Sequence, residues 1–582
     1  MMPRFAHVAI ASHPMRAVLA TLVACTALSA CTAQSPIEPA DLVLTNANIV
    51  TMSAGQPRAE AIAISGDRIV AVGAASDLAD YVGASTRTID LDGKTLVPGL
   101  IDAHVHFLGV GSRLLQLDAR DATDKAAIVE MVARRVAAAA PGEWITGRGW
   151  DQNNWPVKEF PTKADLDAVS PDHPVYLGRV DGHAGWVNSR ALALADITRT
   201  TADPPGGQII REATGEPTGT LIDNAFRLVT RLIPPMSDTQ RRRAAELAVQ
   251  EALASGLTGV HEAGGTRADI ELYGDMMAAG QFDLRITEFL RWPTNEQELP
   301  HTYEALDYYL AQGPQIGLHD NRLTIRGIKM SVDGALGSRG AAFLEPYADD
   351  PNNTGIFRLT PDEVYETIRR GLTAGFQVTT HAIGDAANRM VLDAMARAIQ
   401  ETGVTDHRLR IEHAQILHAD DVPRFAQLGI IPSMQPTHAT TDMKWAVDRV
   451  GEARTRYAYA WRSLLDSGVR IAGGSDAPVE RVQPLPGIYA AVTRQDHAGG
   501  PEGGWHPEQR VTREEALRMF TIDAAYSVFE DDLKGSLEVG KLADMVVLSK
   551  DIMSIPAPDI LDTDVLTTIL GGRIVYERNS GS

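Results

Sequence analysis

From residue 98 to residue 534, short apolar runs alternate with stretches of helical, amphipathic pattern. Eight runs read as strands, beginning near Gly99 (GLIDAHVH), Gly256 (GLTGVHEAG), Phe282 (FDLRITEFL), Leu323 (LTIRGIKMSVDG), Gly375 (GFQVTTHAIGD), Arg408 (RLRIEHAQ), Gly429 (GIIPSMQPTH) and Gly468 (GVRIAGGSDAP). Two intervening helices carry explicit boundary signals. Thr360-Pro361-Asp362-Glu363 is a capping box with proline at the first helical position, and Gly375 ends that helix. The run Ser463–Ser467 closes in the same way on Gly468. Eight strands in βα alternation predict an α/β fold, a (β/α)8 TIM-type barrel.

The two ends have a different texture. Residues 41–97 (ADLVLTNANIVTM, EAIAISGDRIVAVG, RTIDLDGKTLVPG) and 535–580 (GSLEVGKLADMVVLSK, LTTILGGRIVYE) alternate with period two and break at Gly-Asp and Gly-Gly. That pattern predicts half-buried antiparallel strands. Each end alone is too short for a secure β domain, so together they predict one small, split β-sandwich. Between the first two barrel strands lies an insertion over residues 110–240, rich in Trp, Gly, Pro and Asn. It is too long for a structureless loop and predicts an inserted subdomain over the barrel mouth.

Residues 1–30 are set apart from this body. They hold Arg4 and Arg16, no acid, and an apolar run from Ala17 to Leu28 that suits a secretory signal better than a membrane span. The run ends in Leu28-Ser29-Ala30-Cys31, which resembles the bacterial lipobox, where cleavage precedes an acylated cysteine. The expectation is a lipoprotein-type signal peptide and a chain tethered by a lipid at Cys31 to the periplasmic face of a bacterial membrane. An ordinary cleaved signal with an incidental cysteine is the alternative. The only other cysteine, Cys25, lies within the signal, so the mature domain relies on neither thiols nor disulfides.

Composition narrows the function classes. The 582 residues are 44% hydrophobic and 22% charged, which excludes a mainly disordered chain. The net charge of −21 becomes −23 once residues 1–30 are removed. An acidic balance argues against nucleic acid as a partner and leaves a small molecule as the expected one.

The strongest chemical signal is Asp102-Ala103-His104-Val105-His106 at the end of the first strand. Residues i and i+2 of a strand share a face, so His104 and His106 are placed to grip one metal ion. Lys329 lies on the fourth strand, His381 ends the fifth, His413 the sixth and Asp476 the eighth. These six metal-competent groups all fall at the C-terminal face, where barrel enzymes keep their chemistry.

The segments PGLIDAHVH, IKMSVDGALGSR, THAIGDAAN, IEHAQ and GGSDAPV, flanked by the split β-sandwich, resemble the amidohydrolase superfamily. More narrowly they look like its amidohydrolase-3 or YtcJ-like branch, to which N-substituted formamide deformylases belong. The resemblance covers essentially all of the mature chain, including the DGHAGWVNS motif of the insertion. It implies a binuclear site. His104, His106 and Asp476 would hold the more buried ion, His381 and His413 the other, and Lys329, carboxylated by carbon dioxide, would bridge the two. The alternative for Lys329 is a buried ion pair with Asp333 or Asp476. Zinc suits such an imidazole-rich set, with manganese, iron and cobalt remaining open. The implied reaction is hydrolysis of a C–N bond in an amide or N-formyl-type substrate by metal-activated hydroxide, with Asp476 moving the proton. A homodimer is likewise implied by resemblance alone.

Other residues carry weaker expectations. His183, His261 and His438 are candidates for lining the pocket and binding substrate, against packing or loop roles for each. Asp333, Arg339 and Gly384-Asp385 are expected to fix the loops after strands four and five, and Asp102 to orient a ligand histidine. Trp144, Trp150, Trp155 and Trp186 read as core of the insertion rather than as a stacking wall. Three other functions stay open: a mononuclear deaminase or cyclic-imidate hydrolase, an ester or lactone hydrolase, and a tethered, non-catalytic binding protein. Against the deaminase stands Ala-Ile-Gly-Asp after His381, where that class typically carries His-x-x-Glu.

Overall fold

The computed structural model describes residues 37–292 and 299–578. The expected signal peptide and Cys31 lie outside the described residues. Eight parallel strands form the barrel: β1 (Leu100–Val105), β2 (Leu257–Gly265), β3 (Arg285–Arg291), β4 (Leu323–Ser331), β5 (Gln377–Ala382), β6 (Arg410–His413), β7 (Ile431–Met434) and β8 (Ala472–Gly473). Each pairs with its sequence neighbours in one continuous order. Val105 bridges to Ala477, and the Asp476 N–H donates to the His104 carbonyl at 2.7 Å, which brings the last strand back to the first. The eight apolar runs of the sequence are therefore these strands. All of β1 is buried, as expected of a strand with helices outside and packed side chains inside.

The helix signals act as read. Thr360 caps the helix Pro361–Thr373 with a reciprocal capping box, and Gly375 takes φ 80° just beyond its end. A short strand, Gln315–Gly317, pairs antiparallel with β4 and has no counterpart in the sequence reading. It is three residues long, too short to leave a periodic signal.

Two further sheets hold the chain ends, the first built from the N-terminal segment alone and the second from both. One has four strands, ordered Arg68–Gly73, Ala61–Ser65, Leu42–Thr45, Arg87–Asp90. The other has six, ordered Arg573–Glu577, Val565–Leu570, Met545–Leu548, Thr95–Pro98, Asn48–Val50, Arg58–Ala59. Their shared core includes Leu44, Ile62, Leu96, Val547 and Ile569. Thr95–Pro98 runs through Gly99 directly into β1, so this β unit fixes where the barrel begins. A buried bidentate pair, Arg285 to Asp544 at 2.6 and 2.9 Å, ties β3 to the C-terminal strands.

The insertion folds around its own six-stranded sheet, from Leu117–Asp118 to Pro217–Asp223. Trp150, Trp155 and Trp186 fill its core, and Trp144 packs against an adjoining cluster. No helix among the described residues is long and apolar enough to cross a membrane.

Candidate metal centre

The site grows out of β1. Its two-residue repeat turns His104 and His106 towards the C-terminal mouth of the barrel. His104 is completely buried, and its Nδ1 lies 2.5 Å from the Glu412 carboxylate. That contact commits Nδ1 and aims Nε2 at Asp476 Oδ1, 3.5 Å away. His104 Nε2 is buried without a hydrogen-bond partner. His106 Nε2 stands 3.4 Å from the same Asp476 oxygen. The ligand atoms of His104, His106 and Asp476 fall within 4.8 Å of one another, the spacing of a set that closes on one cation.

Asp476 owes its position to the backbone. It sits at φ 57°, in the left-handed region that few L-residues occupy, as chain leaves β8. Asp102 locks that turn from below by accepting from the backbone N–H groups of His104 (3.1 Å) and Ser475 (2.9 Å) and from the Ser475 hydroxyl. Asp102 thus positions the backbone of a candidate ligand, whereas its imidazole is oriented by Glu412. Gly474 is required here, because a Cβ would stand 2.6 Å from the His104 nitrogen.

His413 is also left-handed, at φ 74°, and its Nδ1 pairs with Gln435 Oε1 at 2.8 Å. Its ring centroid is 4.8 Å from that of His104 and 4.5 Å from that of His381. His438 places Nε2 at 3.3 Å from Asp476 Oδ2 and Nδ1 at 3.4 Å from Glu480. His413, His438 and Asp476 form a second set with cation spacing, so Asp476 belongs to both. His381 pairs in register with Ser331 and keeps Nε2 buried without a hydrogen-bond partner.

Lys329 reaches the same cavity from β4. It forms no ion pair with Asp333, Asp476 or any other described carboxylate. Asp333 instead accepts from the backbone N–H groups of Ala342, Ile383 and Gly384 at 2.9, 3.0 and 2.9 Å, which clamps the loops after β4 and β5. Asp385 (to the Leu344 N–H, 2.8 Å) and Arg339 (to Asp349, 2.8 Å) brace the same loops.

The electrostatics suit cation binding. Burial pushes His381 and His413 well below the ordinary histidine range, and like charge adds to it, from Lys329, His183 and Arg358 at His381 and from His381, His104 and Lys329 at His413, so both stay neutral with a lone pair to donate. Burial would raise the Asp476 carboxyl, but the surrounding histidines hold it well below the usual carboxylate range. His438 is opposed by burial yet raised to about 10 by Asp476 and Glu480. Burial lowers the Lys329 ammonium, with Glu412 and Asp476 acting the other way.

A cavity of about 1110 Å³ opens above these groups and is lined by His106, Lys329, His381, His413, His438 and Asp476. His183 also lines it, with Nδ1 2.6 Å from Asp223. His261 does not. It is fully buried beneath the site, where Arg410 donates to its Nδ1 at 3.1 Å, so it is a packing residue rather than a substrate contact. Glu412 went unassigned in the sequence reading although it stands in IEHAQ beside His413. An acidic residue inside an apolar strand was the available signal.

Comparison with known proteins decides the family. Residues 87–576 match the model of the amidohydrolase family. The chain belongs to the amidohydrolase family. This amidohydrolase is 33% identical over 536 residues to the putative amidohydrolase YtcJ of Bacillus subtilis, covering 91% of this chain and 98% of that protein. It is 31% identical over 561 residues to the N-substituted formamide deformylase of Arthrobacter pascens, covering 92% and 98%. An uncharacterized metal-dependent hydrolase of Pyrococcus furiosus superposes with a TM-score of 0.68 at 28% identity, over 88% of this chain and all of that one. The amidohydrolase is thus a hydrolase of a metal-dependent family, and it carries clusters able to hold metal.

Proposed function

We propose that this amidohydrolase cleaves the C–N bond of an amide or N-formyl-type substrate at a centre of two divalent ions. The carrying observation is His104 Nε2. It is a buried imidazole nitrogen with no protein partner, held on its other side by Glu412 and aimed at Asp476. A buried lone pair left unmatched costs about 1–3 kcal/mol, and a cation removes that cost. In this reading His104, His106 and Asp476 hold one ion, His381 and His413 the other, and a carboxylated Lys329 lies between them. Zinc suits the donor set. When bound, the ions supply Lewis acidity and bring a water's pKa towards neutrality.

The chain's own groups do the rest. Asp476, with Oδ1 facing His104 and His106 and Oδ2 facing His438, takes a proton and passes it to the leaving nitrogen. His438, charged between Asp476 and Glu480, fixes the carboxylate's orientation and faces the cavity with a positive ring. Elemental analysis of purified protein without added metal tests the centre, followed by a panel of amides, formamides, esters and lactones. About two ions per chain and turnover of amides or formamides are expected. One ion per chain, or turnover confined to esters, would remove the reading.

Lys329→Ala is expected to be inactive, with activity partly restored by short carboxylic acids that replace the missing carboxylate. Full activity in Lys329→Arg would refute the carbamate. We further propose that the enzyme is tethered at the periplasmic face of a bacterial membrane through Cys31. Cys31→Ala should then move it from the membrane to the soluble fraction on centrifugation, and unchanged sedimentation would refute the anchor.

A further inference from the structure

The inserted subdomain lends one histidine to the cavity. His183 stands in the turn between the strands Val175–Arg179 and Ala184–Val187 of the insertion's own sheet. Gly182 bends that turn at φ 75°. Asp181, which Arg179 holds at 2.6 Å, accepts from the His183 N–H at 3.0 Å. Across the sheet Ala184 pairs with Ile222, so His183 falls opposite Asp223 at the end of the strand Pro217–Asp223. Two bonds close that pair. The Asp223 N–H donates to the His183 carbonyl at 2.9 Å, and the imidazole Nδ1 lies 2.6 Å from Asp223 Oδ1. Cross-strand pairing therefore fixes both the place of the ring and its orientation.

The ring lines the same cavity as the candidate ligands, and it stands close enough to His381 to act on that imidazole as a like charge. Among the described residues only Nδ1 of the ring is engaged, which leaves Nε2 for the cavity. Burial alone would lower the His183 pKa, but Asp223 and Asp181 outweigh it and raise it above the ordinary value, with Arg358, also on the cavity wall, opposing. An imidazole whose Nδ1–H is given to a carboxylate donates from Nε2 only when it carries the second proton, and this raised pKa favours that form. Stapling the two strands needs no such pair, because backbone hydrogen bonds already join them.

We infer that His183 is a catalytic residue of this site: held by Asp223, it presents Nε2–H to the carbonyl oxygen of a bound amide and stabilises the charge that gathers there. The inference rests on the hydrolytic reading above and makes the insertion part of the active site. As hydroxide adds to the carbonyl carbon, the π pair moves onto the carbonyl oxygen and the hydrogen bond from Nε2 strengthens. When the C–N bond breaks, that pair returns to the carbonyl. The nitrogen leaves with the proton that Asp476 took from water, and His183 gives up none. Asp223 is the positioning residue, since it sets the ring and balances its charge.

Two anilides test it, formanilide and 4-nitroformanilide, which share a formyl carbonyl and differ in the basicity of the leaving nitrogen. His183→Ala should lower kcat for aniline release about 10²-fold or more on both, with KM within about threefold of wild type and metal content unchanged. His183→Gln keeps an uncharged N–H at that reach and should recover about tenfold of the loss. Asp223→Asn should lower kcat on both anilides and leave KM in place. A kcat within about threefold of wild type in His183→Ala, a loss carried by KM alone, or loss of bound metal would overturn the inference. So would a loss about tenfold greater on formanilide than on 4-nitroformanilide, which places the donor at the leaving nitrogen. If wild type cleaves neither anilide, the hydrolytic reading is judged by the amide panel above and the donor is read without turnover. Nitrogen-15 NMR of histidine-labelled protein at neutral pH serves for this, with the His183 signals assigned by their loss in His183→Gln. Two protonated ring nitrogens in wild type and one in Asp223→Asn support a charged donor on this wall. A neutral His183 ring in wild type refutes it even then.

Discussion

Asp476→Asn should lower kcat by about 10³-fold or more while the protein keeps its fold. The substitution preserves shape, and asparagine is among the few residues that tolerate the left-handed conformation at φ 57°. The backbone clamp from Asp102 and Ser475 does not involve the Asp476 side chain, so the turn after β8 stays in place. What disappears is the anionic charge that His104, His106 and His438 face at 3.5, 3.4 and 3.3 Å. An amide neither takes up a proton at neutral pH nor carries the negative charge that a cation and the charged His438 ring would pair with. Steady-state kinetics on an amide that wild type hydrolyses, with circular dichroism and elemental analysis of the variant, checks this. A kcat within tenfold of wild type would exclude Asp476 as the proton carrier.

Glu412→Gln should lower both stability and metal retention. Glu412 is fully buried and divides its carboxylate among Arg410 (2.9 and 3.1 Å), the Thr379 hydroxyl and His104 Nδ1. Burial alone would raise its pKa, but Arg410 and His104 hold it well below the usual range. The amide leaves the buried Arg410 guanidinium without a counter-charge, and breaking such a pair costs about 3–5 kcal/mol. It also frees the His104 ring to turn, and loss of the group that orients a ligand histidine weakens metal affinity about 10–100-fold. Urea unfolding and metal content per chain measure the two effects separately. Wild-type values in both would mean that Arg410 and Thr379 alone hold His104 in place.

Most of the architecture was legible because it rests on local periodicity. Each barrel strand is a short apolar run closed by Gly or a polar loop, and each of the two helices read from its caps has its end written in side chains that cap it. The Gln315–Gly317 strand was not legible, since three residues carry no period. Four expected site residues, His104, His106, His381 and His413, end β1, β5 and β6 or follow them directly, so their strands fixed their level in the barrel. His261 has the same sequence signature at its strand, yet it packs under the site against Arg410.

The sequence by itself determined the strand count, the split β unit at the chain ends, the tryptophan core of the insertion and that His104, His106, His381 and His413 stand at strand ends. These follow from periodicity, caps and spacing, which act between near neighbours. Only the tertiary structure decided that Glu412 orients His104, that Asp476 is shared by two candidate sets, that Lys329 has no carboxylate partner among the described residues and that Arg358 faces the cavity. Those facts join residues tens to hundreds of positions apart, and such separations are set by closure of the barrel, which no local pattern encodes.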